Sequence, residues 1–152
     1  EIYTLSLHDA LPIWCVGKVV KYTDAQIDET KIIDANVLII NCIGLLSSLY
    51  RYGQVAYIGG GFGKGIHNTL EAATYSVPVV FGPKYQKFRE ACQLIEREAA
   101  VSISGYEQLT SALDAYFNDA EKRQLAGKIA SAYVDEMRGG TRLIMSELDG
   151  KL

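Results

Sequence analysis

Positions 57 to 71 read YIGGGFGKGIHNTLE. Gly59, Gly60, Gly61, Gly63 and Gly65 put five glycines within seven residues, and a His-Asn pair and a helix-like start follow. Glycine lets a backbone turn sharply and come close to a ligand. A helix start offers unpaired N–H groups and a partial positive charge. Strand, glycine loop and helix start in that order form an anion site, most naturally for phosphate. The plainer alternative is a glycine-rich connection with no ligand. Neither of two well-known phosphate motifs is present. For a P-loop, Gly65 stands where the hydroxyl residue belongs and Ile58 where the first glycine belongs. For a dinucleotide fingerprint, Gly59 and Gly61 fit but Lys64 does not, and Gly61 and Gly63 fit but Ile66 does not.

The helix start supports two readings. Asn68 as N-cap puts Glu71 at capping-box spacing. Alternatively, a carboxylate one turn into a helix that meets a nucleotide phosphate can accept hydrogen bonds from both ribose hydroxyls. His67 can donate to a phosphate or be an ordinary loop histidine. Lys64, Lys84 and Lys87 can neutralise an anion, and the plainer reading of each is a solvated surface lysine.

The elements around this loop alternate. VGKVVKYTD, NVLIIN, QVAYIGGG, VPVVFGP and AVSIS read as strands. NVLIIN is a continuous apolar run, which suits burial on both faces of a parallel sheet. AQIDETKIIDA is a short helix or loop, and GLLSSLYRYG is a short helix closed by Gly53. HNTLEAATYS is a helix, and FREACQLIEREAA is another with Phe88, Ala91, Cys92 and Ile95 on one stripe. The tail is helical: YEQLTSALDAYFND, AEKRQLAGKIASAYVDEM and TRLIMSEL, with breaks at Asp119 and at Gly139-Gly140. This order predicts an α/β fold, a Rossmann-like doubly wound parallel sheet with right-handed crossovers and C-terminal helices. Ligands of such sheets bind beyond the carboxyl ends of the strands. The loops NCIG, GGGFGKGIHN and GPKYQKF are therefore expected to line one crevice.

The 152 residues suit one domain, and 49% hydrophobic with 22% charged residues allows a substantial core. A net charge of −3 argues against nucleic acid as the main partner. No apolar run approaches the ~20 residues of a membrane span. Cys15, Cys42 and Cys92 match no zinc spacing and read as reduced thiols. The opening EIYTLSLHDALPI does not continue the pattern and resembles translated sequencing adapter, so residues 1–13 are read as a non-native scar and 14–152 as the domain.

The block from 57 to 91 resembles the C-terminal half of the bacterial 3-deoxy-D-manno-octulosonic acid (Kdo) transferases. The residues that carry it are Gly59, Gly60, Gly65, His67, Asn68, Leu70, Glu71, Pro78, Val79, Gly82, Pro83 and Phe88. It extends more weakly from about Trp14 to the end. It implies a GT-B glycosyltransferase with two Rossmann-like domains, of which this chain is the CMP-Kdo-binding one. It also implies that the acceptor-binding, membrane-associated N-terminal domain with its general base is absent, leaving a soluble fragment inactive alone. The intact enzyme would act at the cytoplasmic face of the inner membrane. It would transfer Kdo from CMP-Kdo to the lipid A precursor in lipopolysaccharide synthesis, with inversion, no metal and no cofactor. The implied CMP contacts are Gly60, Gly61, His67, Asn68, Thr69, Leu70 and Glu71, with Ile43, Gly44 and Leu45 on a second segment. That segment departs from the family's Asp-x-x-Gly-Glu-Leu, since Asn41 and Leu45 stand at the acidic positions. The competing expectations are a UDP-sugar glycosyltransferase or epimerase half, and a non-catalytic nucleotide-binding module.

Overall fold

The computed structural model describes residues 17–33, 35–139 and 144–147. The proposed scar, Trp14 and Cys15 lie outside the described residues. The chain divides into two compact units, with the boundary between Ser48 and Leu49.

In the first unit β1 (Val19–Lys21) and β2 (Val37–Ile39) pair in parallel, Val19 opposite Val37. The crossover is α1 (Tyr22–Ile27) followed by a 3-10 turn, Glu29–Ile32. The strand expected to continue through Asp24 thus turns helical at Tyr22. Side-chain bonds favour the early turn. Asn41 accepts from the Thr23 backbone N–H at 3.3 Å and donates to the Thr23 hydroxyl at 2.9 Å. Asp28 starts the 3-10 turn by accepting from the Thr30 N–H and hydroxyl at 3.1 and 2.6 Å. The NVLIIN strand is not buried on both faces, because Leu38 is 41% exposed.

The second unit carries β3 (Ala56–Ile58), β4 (Val79–Phe81) and β5 (Ala100–Ser102), parallel and in chain order. The register pairs Ala56 with Val79 and Val79 with Ala100. The short helix α2 (Leu46–Leu49) precedes β3, and the crossovers are α3 (Leu70–Thr74) and α4 (Arg89–Glu96). Two further helices follow, α5 (Tyr106–Phe117) and α6 (Ala120–Met137).

Alternation along the strands sorts the side chains onto two faces. Ile58, Val79, Phe81 and Ala100 pack with Ala72 and Ala73 of α3, Ala91 and Leu94 of α4, and Ala130 and Tyr133 of α6. On the other face Val80 packs with Ala112 and Tyr116 of α5 and Ala126 of α6. Helices therefore cover both faces, as a doubly wound sheet requires, and the central strand β4 is buried throughout. The stripe on α4 centres on Ala91 and Leu94, with Phe88 and Ile95 at its margin and Cys92 half-buried. The expected stripe lacked Leu94, which is three residues beyond Ala91 and on the same face.

The helical tail breaks at Asp119, whose carboxylate caps α6 by accepting from the Lys122 N–H at 2.9 Å. Residues 144–147 form a short helical turn on which Ile144 and Met145 are exposed, whereas Leu143 and Leu148 lie outside the described residues. Among the described residues no helix is long and apolar enough to cross a membrane.

α6 is held to the sheet by close contact as well as by burial. Arg97, at the end of α4, lies 5.0 Å from the Tyr133 ring centroid and pairs with Glu136 at 2.7 Å. Ser76, with φ 58°, turns the chain after α3, and its hydroxyl bonds that of Ser131 at 2.8 Å. Gly127 of α6 lies directly against the Ser76 carbonyl, where a Cβ would overlap the oxygen. Helix propensity alone favours Gly127→Ala by about 1 kcal/mol. Overpacking against rigid backbone costs about 1–3 kcal/mol and opposes that gain. Gly127→Ala is therefore expected to destabilise the protein, and a urea unfolding midpoint at or above the native value would contradict this packing.

Candidate functional site

The loop after β3 folds back on itself. The His67 N–H donates to the Gly59 carbonyl at 3.2 Å, and the Gly61 N–H donates to the Gly65 carbonyl at 2.7 Å. These bonds flank an antiparallel bridge between Gly60 and Ile66. Gly60 and Ile66 form the non-hydrogen-bonded pair of that hairpin. Gly60 and Gly61 have φ of 86° and 82°, where side chains are strained. Next to them lies the end of β4. A Cβ on Gly61 would come within 2.7 Å of the Gly82 Cα, and one on Gly82 within 2.7 Å of the Gly60 carbonyl oxygen. The Lys84 N–H then donates to the Gly61 carbonyl at 2.9 Å. Gly65 faces the Phe88 ring, 3.0 Å from where its Cβ would lie. Much of the glycine content thus serves contacts of the chain with itself. The Gly61 N–H, expected to face an anion, is already taken by Gly65.

The helix start differs from a capping box. Thr69 is already helical in φ and ψ and is the N-cap of α3, which puts Glu71 at the second helical position. Asn68 lies one residue earlier. Its side-chain oxygen accepts from the Leu70 N–H at 3.0 Å, and its amide donates to Glu71 Oε1 at 3.0 Å. Asn68 and Glu71 are linked as their spacing suggested, through the side-chain amide rather than the backbone N–H. Glu71 Oε2 has no described hydrogen bond. Thr69 is only 1% exposed, and its hydroxyl has no hydrogen-bond partner among the described residues.

The 3-10 turn Tyr50–Tyr52 lies against α3. Tyr50 packs against the core cluster, and Arg51 lies 5.4 Å from the Tyr75 ring centroid. Burial raises the Tyr50 phenol above its ordinary pKa, and the Glu71 carboxylate raises it further. No spacing rule connects this turn with α3, and the sequence does not show their contact.

Known proteins resemble this chain in sequence and in structure. No family model matches the sequence. A 3-deoxy-D-manno-octulosonic acid transferase of Rickettsia bellii is 25% identical over 112 residues, covering 73% of this chain and 27% of that protein. One from Chlamydia muridarum is 32% identical over 99 residues, covering 63% and 23%. The crystal structure of the C-terminal CMP-Kdo binding domain of WaaA from Acinetobacter baumannii superposes with a TM-score of 0.64 at 23% identity, covering 76% of this chain and 60% of that one. The chain is a relative of the Kdo transferases. It spans about a quarter of the length of the curated Kdo transferases it matches. The likeness to the solved domain agrees with the Rossmann-like α/β fold read from the alternating elements.

Of the residues expected to contact CMP, Gly60, Gly61, His67, Asn68, Thr69, Leu70 and Glu71 lie together at the end of β3 and the start of α3. Leu70 is half-buried against the core, and His67 is exposed. Ile43, Gly44 and Leu45 belong to the first unit. Ile43 is 94% exposed, Gly44 has φ 94° with open space around it, and the Leu45 carbonyl accepts from the Ser48 hydroxyl at 2.8 Å. Lys64, Lys84 and Lys87 are exposed, as surface lysines are. Two described cavities, of about 560 and 380 Å³, share Val101, Tyr116 and Lys122 beside β5, and neither includes the glycine loop. Asn68→Ala removes a cap bond and the link to Glu71 together. It is expected to lower stability by about 1 kcal/mol in chemical denaturation, and an unchanged unfolding curve would contradict the capping role.

Proposed function

We propose that this chain is the donor-nucleotide part of a Kdo transferase and binds the CMP group of CMP-Kdo at the end of β3. The observation that carries the reading is Glu71, held by Asn68 directly after the glycine loop at the carboxyl end of a parallel strand. Ligands of doubly wound sheets bind at that end. Names of the relatives support the substrate class, and the solved domain of similar fold is described as CMP-Kdo binding.

In this reading Glu71 accepts hydrogen bonds from the ribose hydroxyls. The Gly60 N–H and His67 donate to the phosphate. When the bond from Kdo to phosphate breaks, negative charge grows on the CMP leaving group. Donors fixed in advance stabilise that charge without reorganising. The acceptor is a sugar hydroxyl of the lipid A precursor, which must lose a proton to attack. Its binding site and base are assigned to the part of the relatives that this chain does not span, together with association with the inner membrane at its cytoplasmic face. Residues 14–152 are then the donor domain, and the chain alone does not transfer Kdo.

Titration calorimetry with CMP and, in parallel, UDP tests the reading. CMP is expected to bind more tightly than UDP. Glu71→Ala is expected to weaken CMP about ten-fold or more, in keeping with loss of hydrogen bonds to a charged group. Preference for UDP would move the chain to another class of glycosyltransferase or epimerase, and binding of neither nucleotide would overturn the assignment.

A further inference from the structure

The loop after β3 and the loop after β4 touch through main-chain atoms. The Lys84 N–H donates to the Gly61 carbonyl at 2.9 Å, and a Cβ on Gly65 would stand 3.0 Å from the Phe88 ring. Residues 59–68 and 82–89 carry Lys64, Lys84, Lys87 and Arg89 and no acidic residue, although the whole chain has a net charge of −3. All four cations are exposed. The ion pairs among the described residues involve Arg97 and Arg138, and none of these four is paired with a carboxylate. The carboxylates that flank the two loops in sequence are Glu71, assigned above to the ribose, and Glu90. We propose that this cationic patch is the subsite for the transferred sugar acid, where Lys64, Lys84 and Lys87 receive the Kdo carboxylate. This rests on the donor-nucleotide reading above and extends it from the nucleotide to the sugar.

The chemistry of the donor calls for a second anion site. Kdo is an acid, and the carbon that joins it to the phosphate also carries its carboxylate. A second negative charge therefore lies a few bonds beyond the first, and donors for the phosphate alone would leave it unmatched. The patch starts where the phosphate donors are. Gly60 and His67 belong to the hairpin that carries Lys64 at its tip, and Lys84 is bonded to Gly61 of the same hairpin. Gly63, also at the tip, has open space around it and a backbone outside the left-handed region. Neither packing nor conformation accounts for glycine there, and a bare backbone lets a sugar come close. Lysine ammonium groups on flexible stems gather round a carboxylate without a fixed geometry. Each exposed pair is worth up to about a five-fold change in affinity, so the effect depends on several lysines acting together.

Titration calorimetry of the full chain with CMP-Kdo and with CMP tests the subsite. At about pH 7.5 both ligands carry a total charge near −2, because the free phosphate of CMP has lost its second proton. The ratio of their affinities therefore reports where the second charge is received and not general attraction. The triple variant Lys64→Gln, Lys84→Gln, Lys87→Gln should lower CMP-Kdo affinity about ten-fold or more and CMP affinity less than about three-fold. Lys64→Gln alone should lower CMP-Kdo affinity about three-fold with CMP unchanged. Lys128→Gln, an exposed lysine of α6, should change neither. A native ratio in both the triple variant and Lys64→Gln would overturn the subsite and leave the donor reading standing. Equal weakening of both ligands, or a like loss in Lys128→Gln, would mark a general field and overturn it as well. No binding of CMP by the native chain would overturn the donor reading and this inference with it.

Discussion

Backbone meets backbone where β3 and β4 end, and the form of the candidate site depends on that contact. Gly61 and Gly82 approach so closely that a methyl group on either would overlap main-chain atoms. The contact fixes where the β3 loop leaves the sheet, and the Lys84 N–H bonded to the Gly61 carbonyl locks it. From there the hairpin through Gly65 returns the chain at His67, and α3 starts. The direction of that helix, and so the position of Glu71, follows from a loop that has little freedom once both glycines are in place. Glycine loses more conformational freedom on folding than any other residue. Its concentration here is explained by close approach and by left-handed backbone, before any ligand is considered.

The same economy of side chains shapes the core. Ala72 and Ala73 on α3, Ala91 on α4 and Ala130 on α6 are fully buried, and Gly127 brings α6 against the Ser76 carbonyl. Small residues let these helices lie close to strands only three residues long. Larger groups, chiefly Phe81, Leu94, Tyr116 and Tyr133, fill the spaces between them. The ion pair of Arg97 with Glu136 is partly exposed, and water screens its contribution. The Arg97 guanidinium over the Tyr133 ring adds a packed contact at the same place. Stability of the site thus comes from how tightly the helices seat, and the polar groups near Glu71 inherit their geometry from that seating.

Bonding within the glycine loop also narrows its chemistry. The loop has many N–H groups in sequence, but the Gly61 N–H is turned inward and Lys84 supplies its N–H to the loop itself. A single phosphate needs fewer donors than a diphosphate, and the proposed nucleoside monophosphate asks less of this reduced set.

Local rules determined much of this protein in advance. Five apolar runs became five parallel strands, Asp119 became a helix cap, and Asn68 and Glu71 were paired by their spacing. Each depends on periodicity or on contacts a few residues apart, which a sequence displays directly. The strand after Gly17 ended early because Asn41, eighteen residues beyond Thr23, took its backbone N–H. Leu94 escaped the predicted stripe because the face of α4 that meets the core is set by the sheet beneath it. The tertiary structure alone decided that Gly61 lies against Gly82, that Phe88 lies under Gly65, and that the turn carrying Tyr50 lies against α3. These are meetings of distant segments, brought about by the order of strands and the crossings between them. Residue types state what a side chain can do, and only the packed chain states what it is next to.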